Sequence, residues 1–278
     1  MEKNIAILKI IVWSFLAIFF TIIFISLSVV DDLWINIGFD EKNLDTIRTT
    51  EIDGNKIENI NLYWTYGSVY ITPHEGDKIV IEEKSNRNID EGDLFKIEED
   101  INSLNIEQPA VNIRFSFFRF RRIIKVTEIK LPMKQYNEIS AKLTSGKFEI
   151  DNISTNNMEI RMTSGKTVAT NVISDKIYTN MTSGSMSING AFTDVDSRAT
   201  SGLLKIESVI APSNLAVIVT SGKATISLPE NDGFTLTKIK TSGIFKSDFE
   251  LDNNDKYKDG TNSYIVKMTS GKVELLRK

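Results

Sequence analysis

The feature that most limits what this chain can fold into is a tripeptide, Thr-Ser-Gly, that occurs seven times between residues 144 and 271. The copies begin at Thr144, Thr163, Thr182, Thr200, Thr220, Thr241 and Thr269, so successive starts lie 19, 19, 18, 20, 21 and 28 residues apart. A period near 20 residues marks a repeat architecture, in which each unit is too small to bury its own apolar face and must stack on the next.

The residues around each copy show what the unit is. Positions five, three and one before the Thr are apolar, as in Ile139/Ala141/Leu143, Met158/Ile160/Met162, Leu215/Val217/Val219 and Tyr264/Val266/Met268. Lys142, Glu159, Arg161 and Lys267 stand between them, the period of two that belongs to a strand. Alternation resumes after the Gly with Phe148/Ile150, Met186/Ile188, Leu204/Ile206 and Val273/Leu275. Each repeat therefore reads as strand, corner, strand and polar turn, the last at Asn152 or Asn189-Gly190. The Thr241 copy departs, with Lys240 where an apolar residue belongs. Gly supplies the sharp corner, and Ser and Thr hydroxyls suit backbone hydrogen bonds or hydroxyl ladders between layers. The expected fold is all-β: a single-stranded β-solenoid of about 20-residue coils, with Gly146, Gly165, Gly184, Gly202, Gly222, Gly243 and Gly271 as corners. At about 4.8 Å per layer, seven coils span roughly 30–35 Å.

Seven copies are too many for one active site. Gly165-Lys166-Thr167 ends like a phosphate-binding loop, but the Gly required five positions earlier is Ile160. Lys240-Thr241-Ser242-Gly243 echoes a penicillin-binding motif without its Ser-x-x-Lys partner. The single histidine, His74, falls in an expected turn, and carboxylates do not recur at matched positions: Glu149 is followed by Val168, Ser187 and Lys205. No catalytic, cofactor-binding or metal residue is assigned. Asp252 to Gly260 resembles a calcium loop, but Lys256 occupies a ligand position, so a solvated surface loop is expected.

Location is read from the amino end. Residues 10–30 carry no charge, long enough to cross a bilayer as one helix; Lys3 and Lys9 precede the run, and Asp31 and Asp32 close it. Residues 1–9 are expected in the cytoplasm, 10–30 as a transmembrane helix, 31–51 as a juxtamembrane spacer, 52–138 as irregular β coils and 139–278 as regular repeats. A cleaved signal peptide is the rival, with Ser26-Leu27-Ser28 as its site, although its apolar core is ordinarily shorter. The chain has no cysteine, which excludes disulfides and thiolate sites, and its net charge of −4 gives no sign of nucleic-acid binding.

Between the anchor and the repeats, Tyr66-Gly67-Ser68 reads as a degenerate corner inside a first coil, and Ser85 to Ser103 as a charged loop with one short strand. The segment Arg114, Phe115, Phe117, Phe118, Arg119, Phe120, Arg121, Arg122 and Lys125 mixes cations with aromatics. It fits either a strand pair with Phe inward and Arg outward, or a contact with anionic head groups or an acidic wall polymer.

An amino-terminal membrane segment, an early degenerate corner, a strand ending at Leu131-Pro132 and serial Ser-Gly corners together resemble the "putative adhesin" family of bacterial β-strand-repeat proteins, a domain of unknown function. The membrane-anchored LiaG-type members are the most similar in layout, and the resemblance covers Ile57 to Lys278. It implies an extracytoplasmic β-solenoid tied to envelope stress in Gram-positive bacteria, without a catalytic residue to carry over. The expected function is a non-enzymatic, single-pass membrane-anchored module that contacts wall polymer, anionic lipid or a membrane protein. The alternatives are a carbohydrate-active β-helix enzyme and a self-associating structural spacer.

Overall fold

The alternating repeats do become extended chain. The computed structural model describes residues 44–109 and 124–278, which form one compact unit, Leu44–Lys278. They are all-β apart from a 3-10 turn at Glu91–Asp93, and their twenty strands join one hydrogen-bonded sheet. Among the described residues no helix is long and apolar enough to cross a membrane; the span expected at 10–30 lies outside them.

Two parallel ladders flank the Thr-Ser-Gly corners. The ladder entering them contains β8 (Gln135–Leu143), β10 (Ser154–Met162), the second halves of β11 (Lys166–Met181) and β12 (Ser185–Ala199), β14 (Asn214–Val219) and β19 (Asn262–Met268). Their register puts Ile139, Met158, Ile177, Val195, Leu215 and Tyr264 in one buried column. The ladder leaving the corners contains β9 (Lys147–Asp151), the first halves of β11 and β12, β13 (Leu203–Ser208), β15 (Lys223–Leu228) and β20 (Lys272–Arg277). Ile150, Ala169, Ile188, Ile206, Ile226 and Leu275 form its buried column. The core lies between the ladders because each strand turns its apolar alternate residues to the same side. Asn152 and Asn171 make the opposite turn in the left-handed region, with φ of 54° and 51°, a conformation Asn tolerates. Asn171 Nδ2 donates to Asn152 Oδ1 at 3.1 Å, linking the two turns.

The corners stack without interruption, and their backbone bonds give the order of layers. Lys147 N donates to Gly67 O at 2.9 Å and Lys166 N to Gly146 O at 2.9 Å, and the series continues through Gly165, Gly184 and Gly202. Beyond Gly222 the chain order breaks. Lys272 N bonds Gly222 O and Ile244 N bonds Gly271 O, so the last corner in sequence lies between the fifth copy, at Thr220, and the sixth, at Thr241. β16 (Gly233–Lys240) and β17 (Ile244–Ser247) are therefore outermost, pairing with β19 and β20. This placement accounts for Lys240. Lys238 and Lys240 align with Val266 and Met268, inward positions of the preceding layer, but among the described residues no further layer covers them. β18 (Lys256–Lys258), inside the expected surface loop, pairs antiparallel with the start of β16.

The other end repeats this device. β2 (Asn59–Trp64) and β3 (Ser68–His74) stack directly on β8 and β9. The layer outside them is β6 (Ser103–Glu107) and β7 (Lys125–Pro132), which come later in the chain. β5 (Lys96–Glu99) closes β6, while β4 (Lys78–Ser85) and then β1 (Asp45–Asp53) close β7, all antiparallel. Residues 45–51, expected as spacer, are thus strand; only Ile52 of β1 is well buried, so this edge strand has little apolar alternation to betray it. Gln108 substitutes for a missing corner. Its Oε1 accepts from the Thr65 hydroxyl at 3.0 Å and from Thr65 N at 2.8 Å and Tyr66 N at 3.1 Å, two amides whose equivalents at the Thr-Ser-Gly corners bond a neighbouring corner. Glu83 is buried and accepts from Arg48 Nε at 2.6 Å and Phe95 N at 2.8 Å, tying β1 and β4 to the segment before β5.

Candidate functional site

Gly of each triplet, and Ser of all but the Thr220 copy, are explained by the fold itself. The seven glycines have φ from 93° to 122°, and a Cβ at Gly146, Gly165 or Gly202 would lie 2.2 Å from the carbonyl oxygen of the adjacent corner. Only glycine fits that conformation and that approach. The Ser hydroxyl donates to the Thr carbonyl of the next layer: Ser145 to Thr65 at 2.8 Å, Ser183 to Thr163 at 3.2 Å, Ser201 to Thr182 at 3.1 Å and Ser242 to Thr269 at 2.9 Å. The Thr side chains differ. All seven are exposed, and none of their hydroxyls takes part in a hydrogen bond among the described residues. They form a rank along one edge of the stack, one hydroxyl per layer.

The columns on either side of this rank are basic. Two residues before the Thr, the aligned positions are Tyr63, Lys142, Arg161, Asn180, Arg198, Ile218, Lys267 and Ile239. Immediately after the Gly they are Ser68, Lys147, Lys166, Ser185, Leu203, Lys223, Lys272 and Ile244. Eight of these sixteen residues are cations and none is acidic; Glu107, one layer beyond Tyr63, is an acid at the far end. In a chain of net charge −4 this edge is a local reversal of sign.

Some of the charge is compensated by the next column outward. Arg161 pairs with Glu159 and Arg198 with Asp196, and both guanidiniums lie over the Tyr178 ring, at 4.9 and 5.8 Å. Lys147 pairs with Glu149 at 2.9 Å, and Lys223 and Lys272 share Glu274, whose carboxyl is lowered to about 2 by hydrogen bonds from Lys223 and then Lys272. Lys142, Lys166 and Lys267 have no carboxylate partner among the described residues; Lys142 sits 5.1 Å above the Tyr63 ring. An open groove follows the edge, lined by Tyr63, Glu107, Gln108, Lys142, Thr144, Arg161, Thr163 and Asn180, with Glu107 its one acid.

The residues singled out from sequence are distributed as follows. Gly146, Gly165, Gly184, Gly202, Gly222, Gly243 and Gly271 are corners with positive φ. Arg114, Phe118, Arg119, Arg121 and Arg122 lie outside the described residues. Lys125 lies within them and is engaged by the fold: Nζ donates to Asp93 O at 2.7 Å and stands 5.3 Å over the Tyr66 ring. His74 staples its own turn, with Nδ1 accepting from Gly76 N at 3.1 Å and Nε2 2.6 Å from Lys78 O. Asp252 Oδ1 accepts from Asn254 N and Lys256 N at 2.8 and 2.9 Å, so that loop is shaped by an Asx turn. Among the described residues no group of three or more His, Cys, Asp or Glu could hold a metal ion. Glu149, Val168, Ser187 and Lys205 share one column, as their alignment in sequence implies. The basic edge is the element the sequence reading did not isolate, although Gly is followed by Lys in four of the seven copies.

A family model described as Toastrack DUF4097 matches residues 57–212. No curated protein matches the chain. Among solved structures, a "putative adhesin" from Bacteroides fragilis is 15% identical, covers 85% of this chain and 98% of its own, and superposes with a TM-score of 0.51. A "putative cell adhesion protein" from Clostridium sporogenes is 18% identical over 85% of this chain and 100% of its own, with a TM-score of 0.45. A "putative lipid binding protein" from Parabacteroides distasonis is 15% identical over 81% and 96%, with a TM-score of 0.37.

Proposed function

The chain belongs to the Toastrack DUF4097 family, and on that premise we propose that it is a non-enzymatic binding module of the cell envelope. In this reading the stacked ladders are a β-solenoid held outside the cytoplasmic membrane by one helix at 10–30, with residues 1–9 in the cytoplasm. The observation that carries it is the register. Parallel stacking repeats the same outward positions layer after layer, so the surface offers long columns of exposed side chains along an open groove. Such a surface suits an extended or repetitive partner: wall polymer, anionic lipid or a membrane protein. The reading as a self-associating spacer is disfavoured by Lys240 and Lys246 on the outermost layer, since like charges oppose end-to-end strand pairing.

The test is co-sedimentation of the soluble fragment 32–278 with purified cell wall and, separately, with anionic lipid vesicles, at low and high salt. Salt-sensitive sedimentation is expected with one of the two. Sedimentation with neither removes envelope contact and directs the search to a protein partner by pull-down from membranes. Within this reading the Arg- and Phe-rich segment is a further contact, and changing Arg119, Arg121 and Arg122 to Ser weakens binding while the domain stays folded; unchanged binding removes the segment from the proposal.

A further inference from the structure

We infer that the Thr edge binds a linear anionic glycopolymer lying along the stack, an inference that rests on the reading of the chain as an envelope-binding module. The first ground is the Thr rank. Gly is required by backbone geometry and Ser, at six of the seven copies, bonds between layers, whereas among the described residues no Thr hydroxyl of the seven copies makes a hydrogen bond. A β-branched side chain alone would be served as well by Val or Ile, so the fold does not account for a hydroxyl at every layer. The second ground is charge. The rank lies between two basic columns, and Lys142, Lys166 and Lys267 hold cations that no carboxylate among the described residues neutralises.

The third ground is direction. The groove runs with the stacking axis across the layers of Tyr63, Lys142, Arg161 and Asn180, with the acid Glu107 at its far end, and donors recur in each of these layers, a step of about 4.8 Å. A partner that satisfies successive layers is a chain with a short repeat that carries both hydroxyls and negative charge. A peptide strand would need an unpaired backbone edge, which the interior of a ladder lacks. A bilayer is planar and offers no repeat that follows a groove. An acidic, hydroxylated polymer fits on each count, with phosphodiester or carboxylate groups meeting the lysines and hydroxyls meeting the Thr rank.

The experiment uses the full chain in detergent micelles, with poly(glycerol phosphate) and polyglucuronate as the two anionic probes. Dextran is the neutral control, single-stranded DNA a non-glycan polyanion, and affinity is measured at about 50 and about 200 mM salt. Binding to one or both glycopolymers, and not to dextran, is expected, and the preferred probe identifies the phosphodiester or carboxylate source. The Lys142→Gln/Lys166→Gln variant should lose about tenfold in affinity and flatten the salt dependence by roughly two counterions. Changing Thr144, Thr163 and Thr182 to Val should lose about fivefold with the salt dependence unchanged, which a purely electrostatic surface would not show. The Lys56→Gln/Lys78→Gln variant, whose lysines flank the strand ends opposite the corner, should stay within about twofold of the parent. Thermal melts establish that each variant is folded, and Thr163→Val alone carries the hydroxyl test if the triple variant is not. Three outcomes overturn the inference: no binding to either glycopolymer, edge variants equal to the parent, or equal binding to DNA with the Val variant unaffected. If wall sedimentation persists while the edge variants behave as the parent, the module reading stands and this inference falls.

Discussion

Replacing Gly165 by Ala would force a Cβ to 2.2 Å from the Gly146 carbonyl oxygen at a φ of +110°, so strain and collision act together. The expected loss is about 3 kcal/mol or more in a urea melt. Replacing the adjacent Ser164 by Ala removes one hydroxyl bond to the Thr144 carbonyl and should cost about 1 kcal/mol or less, since that bond is long at 3.4 Å. Similar costs at the two positions would refute the account of the corner. Tyr264 gives the opposite sign. Its ring is fully buried and stacked on Phe234 at 4.4 Å, yet its hydroxyl has no hydrogen-bond partner among the described residues, and burial raises its ionisation well above the ordinary range. Tyr264→Phe should therefore be neutral or stabilising by up to about 1 kcal/mol, because it relieves an unpaired buried polar group.

At the scale of the element, both ends of the stack are held by side chains rather than by further layers. Gln108 satisfies two amides that face no corner, so Gln108→Ala should cost about 2 kcal/mol and expose the Trp64–Gly67 layer to proteolysis. At the opposite end, Glu230 is lowered to about 2 by hydrogen bonds from Lys258, Tyr257 and Arg277, and Glu274 likewise by its two lysines. A folded-state value below the ordinary 4.5 contributes stability above that pH and loses it as pH falls from about 4.5 towards 2. The Glu230→Gln/Glu274→Gln variant should melt with a weaker acid dependence across that window; an unchanged slope would dismiss these pairs as contributors. These end elements are also where sequence and structure part. The period-two alternation at Ile139/Ala141/Leu143 announces a strand because both faces have definite environments. Edge strand β1 has only one clearly buried residue, so nothing in its pattern distinguishes it from a spacer. The Lys240 anomaly was visible, but its cause, an uncovered layer, depends on a neighbour that never arrives. The basic edge escaped notice for a related reason: Lys142 and Lys147 belong to different strands, and only the corner brings their columns to the same margin.

For the whole molecule, the stacking order predicts where length can change. Excising residues 163–181 removes one complete layer and joins Met162 to Thr182, which carries the same Thr-Ser-Gly register. The shortened protein should fold, with a smaller denaturant m-value in proportion to the surface lost. Truncation after residue 261 should not leave a folded carboxy-terminal end, because among the described residues β16 and β17 pair with the stack through β19 and β20. A cooperative melt for the truncated form would show that the outermost layer docks by itself. The intercalated last layer also governs how the molecule bears load. The terminal strand of an ordinary stack peels from one neighbour, one bond at a time. Here β20 is bonded to β15 on one side and β17 on the other, so a pull on Lys278 must shear two ladders at once. The last strand in sequence is thus gripped like one in the middle of the stack.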